Sequence, residues 1–395
     1  MTSEGIRNRV LSFLGLALDE KAVDAVLVPL KAPGTDAYAW VLLNDKALLE
    51  HANPLPPVLT VSGGQVLSDI SKHGTANLTI AALMRPCEIR AAVELFKLKQ
   101  IDLERIILIG IDCPGAVPLT DYMTSPRKHE EDFNKIFDNW ADSEILRPVC
   151  RVCHRFSHDT LGLEDSPDAA AEAGPVTSDV HFGWLGGQDG EIQVLAATEK
   201  GTQLLDRMKR QPQTQLDGWR SRVQEIAEQR MKLRQEFNKD WMNRLEGPDH
   251  FSSVFDACIN CHNCMRVCPI CYCQQCYFDS QNLRLNPEEY MNRAEKRGAL
   301  RFPLDTLQFH LGRMSHMVLS CVSCGACEDA CPMNIPVAQI FSMVGDQTQQ
   351  DFDYLPGRSR EEPLPLQSFE KDEFCEVESP SECGEKTNEK ADKHV

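Results

Sequence analysis

A repeated cysteine motif constrains this 395-residue chain more than any other feature. The spacing C-x2-C-x2-C-x3-C-P occurs twice, at residues 258–269 and 321–332. Three cysteines in so tight a turn present their thiolates around one compact inorganic core, and in sequences with two such motifs the fourth cysteine ligates the other cluster. The repeat therefore predicts two 4Fe–4S clusters whose motifs exchange their last cysteines.

This exchange assigns four ligands to each predicted cluster and defines two groups of cysteines. The first set is Cys258, Cys261, Cys264 and Cys331. The second set is Cys268, Cys321, Cys324 and Cys327. Zinc is the alternative metal, but it favours two C-x2-C pairs that close one tetrahedron, and this spacing suits it poorly. Because eight cysteines satisfy two clusters, His310 and His316 are predicted to be packing or surface residues.

Three more cysteines follow the first motif, and the repeat does not explain them. They are Cys271, Cys273 and Cys276. One interpretation is that these thiols pack near the clusters and tune their potentials through S–H contacts. The other is that they supply three ligands to a further cluster, with the fourth from Cys375 or Cys383 in the tail.

Composition excludes several classes of protein. The net charge of −18 argues against nucleic acid as a main partner, because phosphate contacts need a basic surface. No apolar run approaches the roughly 20 residues of a membrane span, and the N-terminal sequence is typical of an amphipathic helix rather than a signal peptide. We therefore expect a cytoplasmic protein, in which clustered cysteines are more often metal ligands than disulfides.

The chain divides into four predicted regions. Residues 1–210 should form an α/β domain with a largely parallel or mixed sheet, because apolar runs such as "AVLVPL" and "RIILIGID" alternate with helical patterns. A long connecting helix is predicted within 211–250, its apolar stripe packed on the first domain or available to a partner. Residues 251–345 should be a mainly α-helical dicluster domain. Residues 346–395 are predicted to be an acidic, disordered tail, with the acidic 156–178 segment a loop.

Four cysteines in the α/β region form a third set. They are Cys87, Cys113, Cys150 and Cys153. Cys87 and Cys113 each follow a predicted strand, and ligand sites of α/β proteins gather at the carboxyl ends of strands. Spacing alone leaves three alternatives open for this set: a third cluster, a zinc site or unrelated thiols.

A glycine pair raises the question of a flavin. In the stretch "VSGGQ", the residues Ser62, Gly63 and Gly64 are either a flavin-contacting turn or a plain turn. Glycine lets the backbone approach a phosphate closely, which favours the first alternative. No Rossmann G-x-G-x-x-G is present, and this argues against NAD binding of that type.

Two resemblances extend these inferences. The ordered stretches "PCEI", "GIDC" and "CRVC" make residues 10–245 similar to the beta subunits of coenzyme F420-reducing hydrogenase and F420-dependent formate dehydrogenase. The resemblance implies FAD beside a 4Fe–4S cluster that the third set ligates. The stretch "RMSHMVLSCVSCGACEDACPMNIPV" resembles the dicluster domains of heterodisulfide reductase small subunits and succinate dehydrogenase iron–sulfur subunits, which implies a helical frame.

Together these observations predict an electron-transfer subunit of an anaerobic oxidoreductase, with iron–sulfur clusters and a flavin. It would pass electrons between a hydride carrier, F420 or NAD(P)H, and a catalytic partner of the formate dehydrogenase, hydrogenase or heterodisulfide reductase type. In such a subunit the protein supplies position and potential while the cofactors supply the chemistry. A non-flavin electron conduit and an iron–sulfur redox sensor are the alternatives.

Overall fold

The computed structural model describes residues 2–75, 77–137, 144–158, 178–186, 192–211, 217–283 and 285–365. Most of the predicted 156–178 loop lies outside the described residues, as do Cys375 and Cys383. Met1–Arg360 form one compact unit, and Glu361–Val395 form a second, of which residues 361–365 are described.

The N-terminal half of the chain is built on a mixed sheet. Its six strands among the described residues are β1 (Ala25–Lys31), β2 (Tyr38–Leu43), β3 (Ile80–Met84), β4 (Ile106–Ile111), β5 (Val180–Gly183) and β6 (Gln193–Ala196). The strand order is β2-β1-β3-β4-β5-β6, with β1, β3, β4 and β5 parallel. The edge strands β2 and β6 are antiparallel to their neighbours. The predicted α/β fold with a largely parallel or mixed sheet is confirmed.

Helices cover both faces of this sheet. They are α1 (Ser3–Asp19), α2 (Gly63–Ser71), α3 (Pro86–Lys97), α4 (Leu119–Thr124), α5 (Pro126–Ile136), α6 (Pro148–Arg151) and α7 (Glu199–Arg207). The predicted amphipathic N-terminal helix is α1, which begins where the Thr2 hydroxyl accepts a hydrogen bond from the Gly5 amide. Every residue of β3 and β4 is buried, as expected for parallel strands covered on two sides.

The sheet separates two apolar cores. On one side α1 contributes Phe13 and Leu14 to a core with Phe182 of β5. On the other side α2 and α3 pack through Leu67 and Val93. The carboxyl ends of the parallel strands remain at one edge of the sheet, where Cys87 and Cys113 follow β3 and β4.

A 28-residue helix, α8 (Asp217–Arg244), connects the two halves of the chain. Its first turns add Trp219, Val223 and Ile226 to the core of the α/β half. Near its end, Trp241 belongs to the core of the cysteine-rich half. The apolar stripe therefore packs on the first domain, as one interpretation predicted, but only along its N-terminal part.

A buried carboxylate ties this helix to the sheet. Asp112 follows β4 and is fully buried. Its oxygens accept hydrogen bonds from the Trp219 indole at 2.8 Å and the Trp184 amide at 2.9 Å, and it lies 2.9 Å from His181 Nε2. Because Asp112 immediately precedes Cys113, this network also fixes the backbone from which that candidate ligand projects.

The cysteine-rich half is helical, as predicted. Its helices are α9 (Pro248–Val254), α10 (Asn263–Arg266), α11 (Pro287–Arg297), α12 (Thr306–Met317), α13 (Ala326–Asp329) and α14 (Val337–Asp351). Ile340 and Phe341 of α14 pack against Met317 of α12 in its core. No helix in the described part of the chain has both the length and the apolar character needed to cross a bilayer.

The prediction of disorder from residue 346 is wrong for residues 346–360. Helix α14 continues to Asp351, and Tyr354 behind it is buried. The Tyr354 hydroxyl lies 2.7 Å from a carboxylate oxygen of Glu94 on α3, and Arg90 donates to the Pro356 carbonyl at 2.8 Å. The acidic composition gave no sign of this order, because the segment is held by the contact between the Tyr354 hydroxyl and the buried Glu94 carboxylate. Residues 366–395 lie outside the described part.

Candidate metal centre

The two cysteine motifs share one backbone conformation. The residue before the second cysteine is left-handed in both copies, with a φ of 55° at Asn260 and at Ser323. The residue after it is also left-handed, with φ of 61° at His262 and 82° at Gly325. These turns curl peptide N–H groups toward sulfur, so that the Asn260 amide lies 3.4 Å from Cys258 Sγ. The sequence repeat is therefore also a structural repeat.

The two motifs exchange their fourth cysteines in space. One cavity is lined by the first set, Cys258, Cys261, Cys264 and Cys331. A second cavity is lined by the second set, Cys268, Cys321, Cys324 and Cys327. The structure thus brings together the same thiols that the spacing groups. That these thiols ligate iron stays a prediction.

Both cavities are walled by apolar side chains and are similar in size. Phe309 and Val337 line the first, and Met317 and Phe341 line the second. Within the described ranges, no group of three or more His, Cys, Asp or Glu residues is arranged to hold a single metal ion. The four thiols of each set instead line one common cavity.

Burial raises the pKa of thiols in both of these sets. It raises the pKa of Cys264 and of Cys321 to about 11, and the pKa of Cys324 to about 12. Metals bind the thiolate form, so ligation at either cavity must release protons.

The third set also comes together, at the carboxyl edge of the sheet. Cys87 lies in the first turn of α3, Cys113 follows β4, and Cys150 lies in α6. Cys87 interacts electrostatically with Cys113 and Cys150, and Cys153 interacts with the same two thiols. Burial is the main cause that raises the pKa of Cys87 well above its ordinary value. The four thiols are therefore neighbours, although they come from three separate segments.

The third set lies beside the second. Cys87 interacts electrostatically with Cys324. Arg147, three residues before Cys150, donates a hydrogen bond to the Cys324 carbonyl at 2.9 Å and forms an ion pair with Asp329. A substituent at Gly325 would approach the Arg147 side chain to 3.0 Å, so a glycine is needed there. The two halves of the chain meet at this junction.

Buried arginines beside the cysteines are functional candidates that motif reading missed. Arg85, Arg147 and Arg313 are each at most 2% exposed. Arg85 lies 3.6 Å from Cys113 Sγ, and Arg313 lies 3.1 Å from Cys264 Sγ. A signal was available for the first two, since "RPC" and "RPVC" place each arginine shortly before a cysteine of the third set.

The two histidines between the motifs differ in surroundings. His310 is buried, stacks on Phe255 with ring centroids 4.1 Å apart, and places Nε2 at 3.3 Å from Cys258 Sγ. Burial lowers the pKa of His310 to about 4, so the ring is neutral. His316 is exposed. His310 is thus a packing residue that also touches a candidate ligand.

The three additional cysteines do not share one environment. Cys271 Sγ lies 3.9 Å from the sulfur of Met317, and Cys276 Sγ lies 3.7 Å from that of Met265. Cys273 is exposed. Cys271 also hydrogen-bonds to Cys268 through its thiol, which is the kind of contact that the first interpretation of these residues requires.

The glycine pair does not form an open cradle. Gly63 and Gly64 are the first residues of α2, and the Gly63 amide donates to the Glu88 carboxylate at 2.8 Å. A Cβ at Gly63 would lie 2.7 Å from the Met84 sulfur and 2.8 Å from the Trp40 ring. The Gly63 amide and the side of Gly63 where a Cβ would lie are therefore occupied by protein atoms. That Ser62, Gly63 and Gly64 contact a flavin stays a prediction.

A larger cavity opens at the carboxyl end of β1. It has a volume of about 350 Å³ and is lined by Arg7, Lys31 and His51 together with Glu130 and the 52–57 segment. The 52–57 segment also lies next to the third set, because the Pro56 carbonyl accepts a hydrogen bond from Arg85, which approaches Cys113. Sequence reasoning missed this cavity, whose lining comes from α1, β1, β2 and α5.

Comparisons with known proteins agree with the resemblances. Residues 254–335 match the family described as a 4Fe-4S dicluster domain. The chain is 28% identical over 399 residues to F420-dependent formate dehydrogenase subunit beta of Methanocaldococcus jannaschii, covering 94% of this chain and 98% of that protein. F420-dependent formate dehydrogenase 1 subunit beta of Methanococcus maripaludis is 28% identical over 372 residues, covering 88% and 90%.

A solved structure of the F420-reducing NiFe hydrogenase complex from Methanosarcina barkeri aligns at a TM-score of 0.39 and 13% identity, covering 58% of this chain and 85% of that chain. So weak a likeness supports no conclusion about function. The matches to the dicluster family and to the two beta subunits confirm the predicted resemblances.

Replacing Gly63 by alanine tests the packing of the glycine pair. Because the new methyl group would press on Trp40 and Met84, we expect Gly63→Ala to lower the free energy of unfolding by about 1–3 kcal/mol, as overpacking does. Denaturant unfolding measures this. The matched control is Gly218→Ala in α8, whose nearest neighbour would be 3.9 Å away and which should be neutral or slightly stabilising. Unchanged stability of Gly63→Ala with selective loss of flavin would contradict the packing role.

Proposed function

We propose that this protein is an electron-transfer subunit of an oxidoreductase, which passes electrons between a hydride carrier and a catalytic partner subunit. The observation that carries the proposal is that the three cysteine sets follow one another in space. The third set lies beside the second, and the first and second sets each include the last cysteine of the other motif. The relatives named as beta subunits of formate dehydrogenases support the same role. We infer that formate dehydrogenase or a similar enzyme is the partner.

The residues of each set fit a 4Fe–4S cluster. Four thiols of the first set surround one apolar cavity, and four of the second surround another. When bound, such clusters accept and release single electrons. The chain's own residues do the rest: the thiols bind iron, Phe309 and Phe341 exclude water, and buried arginines balance negative charge.

The third set would ligate a further cluster, next to the site of the hydride carrier. We place that site in the cavity at the end of β1, because ligands of α/β sheets bind beyond the carboxyl ends of strands. Its basic residues Arg7, Lys31 and His51 suit a carrier with phosphate or carboxylate groups, which would replace Glu130 and Asp36 as the partners of Lys31. The 52–57 segment lies between this cavity and Arg85, which approaches Cys113.

A second candidate function is an electron conduit without flavin. It is favoured by the close packing at Gly63 and Gly64, which leaves little room for a flavin on that side of the turn. Under this alternative a one-electron donor replaces the hydride carrier. Flavin analysis of the anaerobically purified protein separates the two functions.

Two cysteine variants test the order of the sets. Cys87→Ser should remove about four iron atoms, by the count for one cluster, and should stop reduced F420 or NADH from reducing the remaining clusters. Dithionite should still reduce them. Cys264→Ser should also remove about four iron atoms but leave reduction by the carrier intact, because the first set is farthest from the proposed entry point. Carrier-driven reduction that survives Cys87→Ser would contradict this order.

A variant of Lys31 tests the carrier cavity. Lys31→Ala removes one of the cavity's cations, and we expect the KM for the carrier to rise about tenfold, as for loss of one charged hydrogen bond. Steady-state kinetics with F420 and with NADH measure this. Lys209→Ala, an exposed lysine paired with Glu20, is the control and should leave the KM unchanged. A normal KM in Lys31→Ala would exclude this cavity as the carrier site.

A further inference from the structure

Arg313 is a buried cation without an acidic partner in the part of the chain that the structure describes. It projects from α12 and is 2% exposed. One nitrogen lies 3.1 Å from Cys264 Sγ, another lies 3.3 Å from the sulfur of Met317, and the guanidinium lies 4.8 Å from the Phe341 ring centroid. Burying a charge without a counter-charge is costly. Its counter-charge must come from groups other than carboxylates.

Once ionised by iron binding, thiols of both sets would supply that counter-charge. Arg313 contacts Cys264 of the first set directly, and Met317 and Phe341, which it also contacts, line the cavity of the second set. Arg313 therefore lies between the two cavities and interacts with both.

Two other buried arginines near the cysteines, Arg147 and Arg234, differ in this respect. Arg147 forms an ion pair with Asp329, and Arg234 binds Asp346 at 2.6 Å. In each pair the aspartate neutralises the charge of the arginine, so the pair has little net effect on a nearby cluster. No carboxylate among the described residues neutralises Arg313, so its full positive charge acts on the nearby thiolates.

We propose that Arg313 is the shared counter-ion of the two clusters in the dicluster region, and that it raises the reduction potentials of both. Each cluster gains one negative charge when it accepts one electron, and no bond forms or breaks in the protein. A fixed cation between the clusters stabilises the reduced state of each. This inference rests on the proposed ligation of iron by the first and second sets.

The test is a redox titration of the full-length, anaerobically purified protein, followed by EPR, with dithionite as reductant. Arg313→Met replaces the guanidinium by an unbranched apolar side chain. We expect the equilibrium constant for reduction to fall about tenfold at both dicluster clusters, which is about 59 mV for a one-electron couple. The cluster of the third set should keep its potential.

Two further variants separate charge from shape. Arg313→Lys keeps the charge while losing the planar donors, so it should retain iron and potentials close to those of the unaltered protein. Arg301→Met removes an exposed arginine that is paired with Asp256 and interacts electrostatically with Cys258, and water should screen its loss. Arg301→Met is therefore the control for loss of one positive charge in this region.

Several outcomes would overturn the proposal. They are unchanged potentials in Arg313→Met with full iron content, a shift at one dicluster cluster alone, or an equal shift in Arg301→Met. If Arg313→Met loses iron, the result for Arg313→Lys decides. Reduction potentials of Arg313→Lys equal to those of the unaltered protein support the proposal. Loss of iron or lowered potentials in Arg313→Lys refute it. Because dithionite reduces the clusters directly, a failure of carrier-driven reduction would count against the proposed function and not against Arg313.

Discussion

The exchange of Cys268 and Cys331 between the two motifs is the constraint on which the cysteine-rich half depends. Each cavity needs one cysteine from the other motif, so neither motif can complete its set alone. The exchange holds the short helices α10 and α13 beside each other and leaves α12 and α14 to cover the cavities. Arg313 of α12 contacts Cys264 of the first set and Met317 in the lining of the second cavity, so its positive charge lies between the two sets.

A second junction joins this region to the sheet. Arg147 lies between Cys150 of the third set and the Cys324 carbonyl of the second, and its ion pair with Asp329 spans the two halves of the chain. Helix α8 packs along both halves and Asp112 anchors its start, so the third and second sets are held within one compact unit. Electron transfer needs this fixed proximity more than it needs a catalytic side chain.

Much of this arrangement could be predicted from the sequence. The β-branched runs identified the strands, and the exchange of fourth cysteines was expected because ferredoxin-like paired motifs place the last cysteine of each on the other cluster. Other features depend on tertiary contacts that no local pattern reports. Gly63 looked like a cofactor turn but packs against Trp40, Tyr354 orders a segment of acidic composition, and Arg313 looked like an ordinary polar position of a helix. The cavity near Lys31 is assembled from four separate elements, which explains why sequence reasoning missed it.

The measurement that tests the central claim most directly is iron content combined with Mössbauer spectroscopy of the anaerobically purified protein. Three cysteine sets predict about 12 iron atoms per chain, all in 4Fe–4S clusters, by the count of four per cluster. About 8 iron atoms would exclude the third set as a cluster site, and about 16 would show that Cys271, Cys273 and Cys276 serve a further cluster. Zinc in place of iron would contradict the account as a whole.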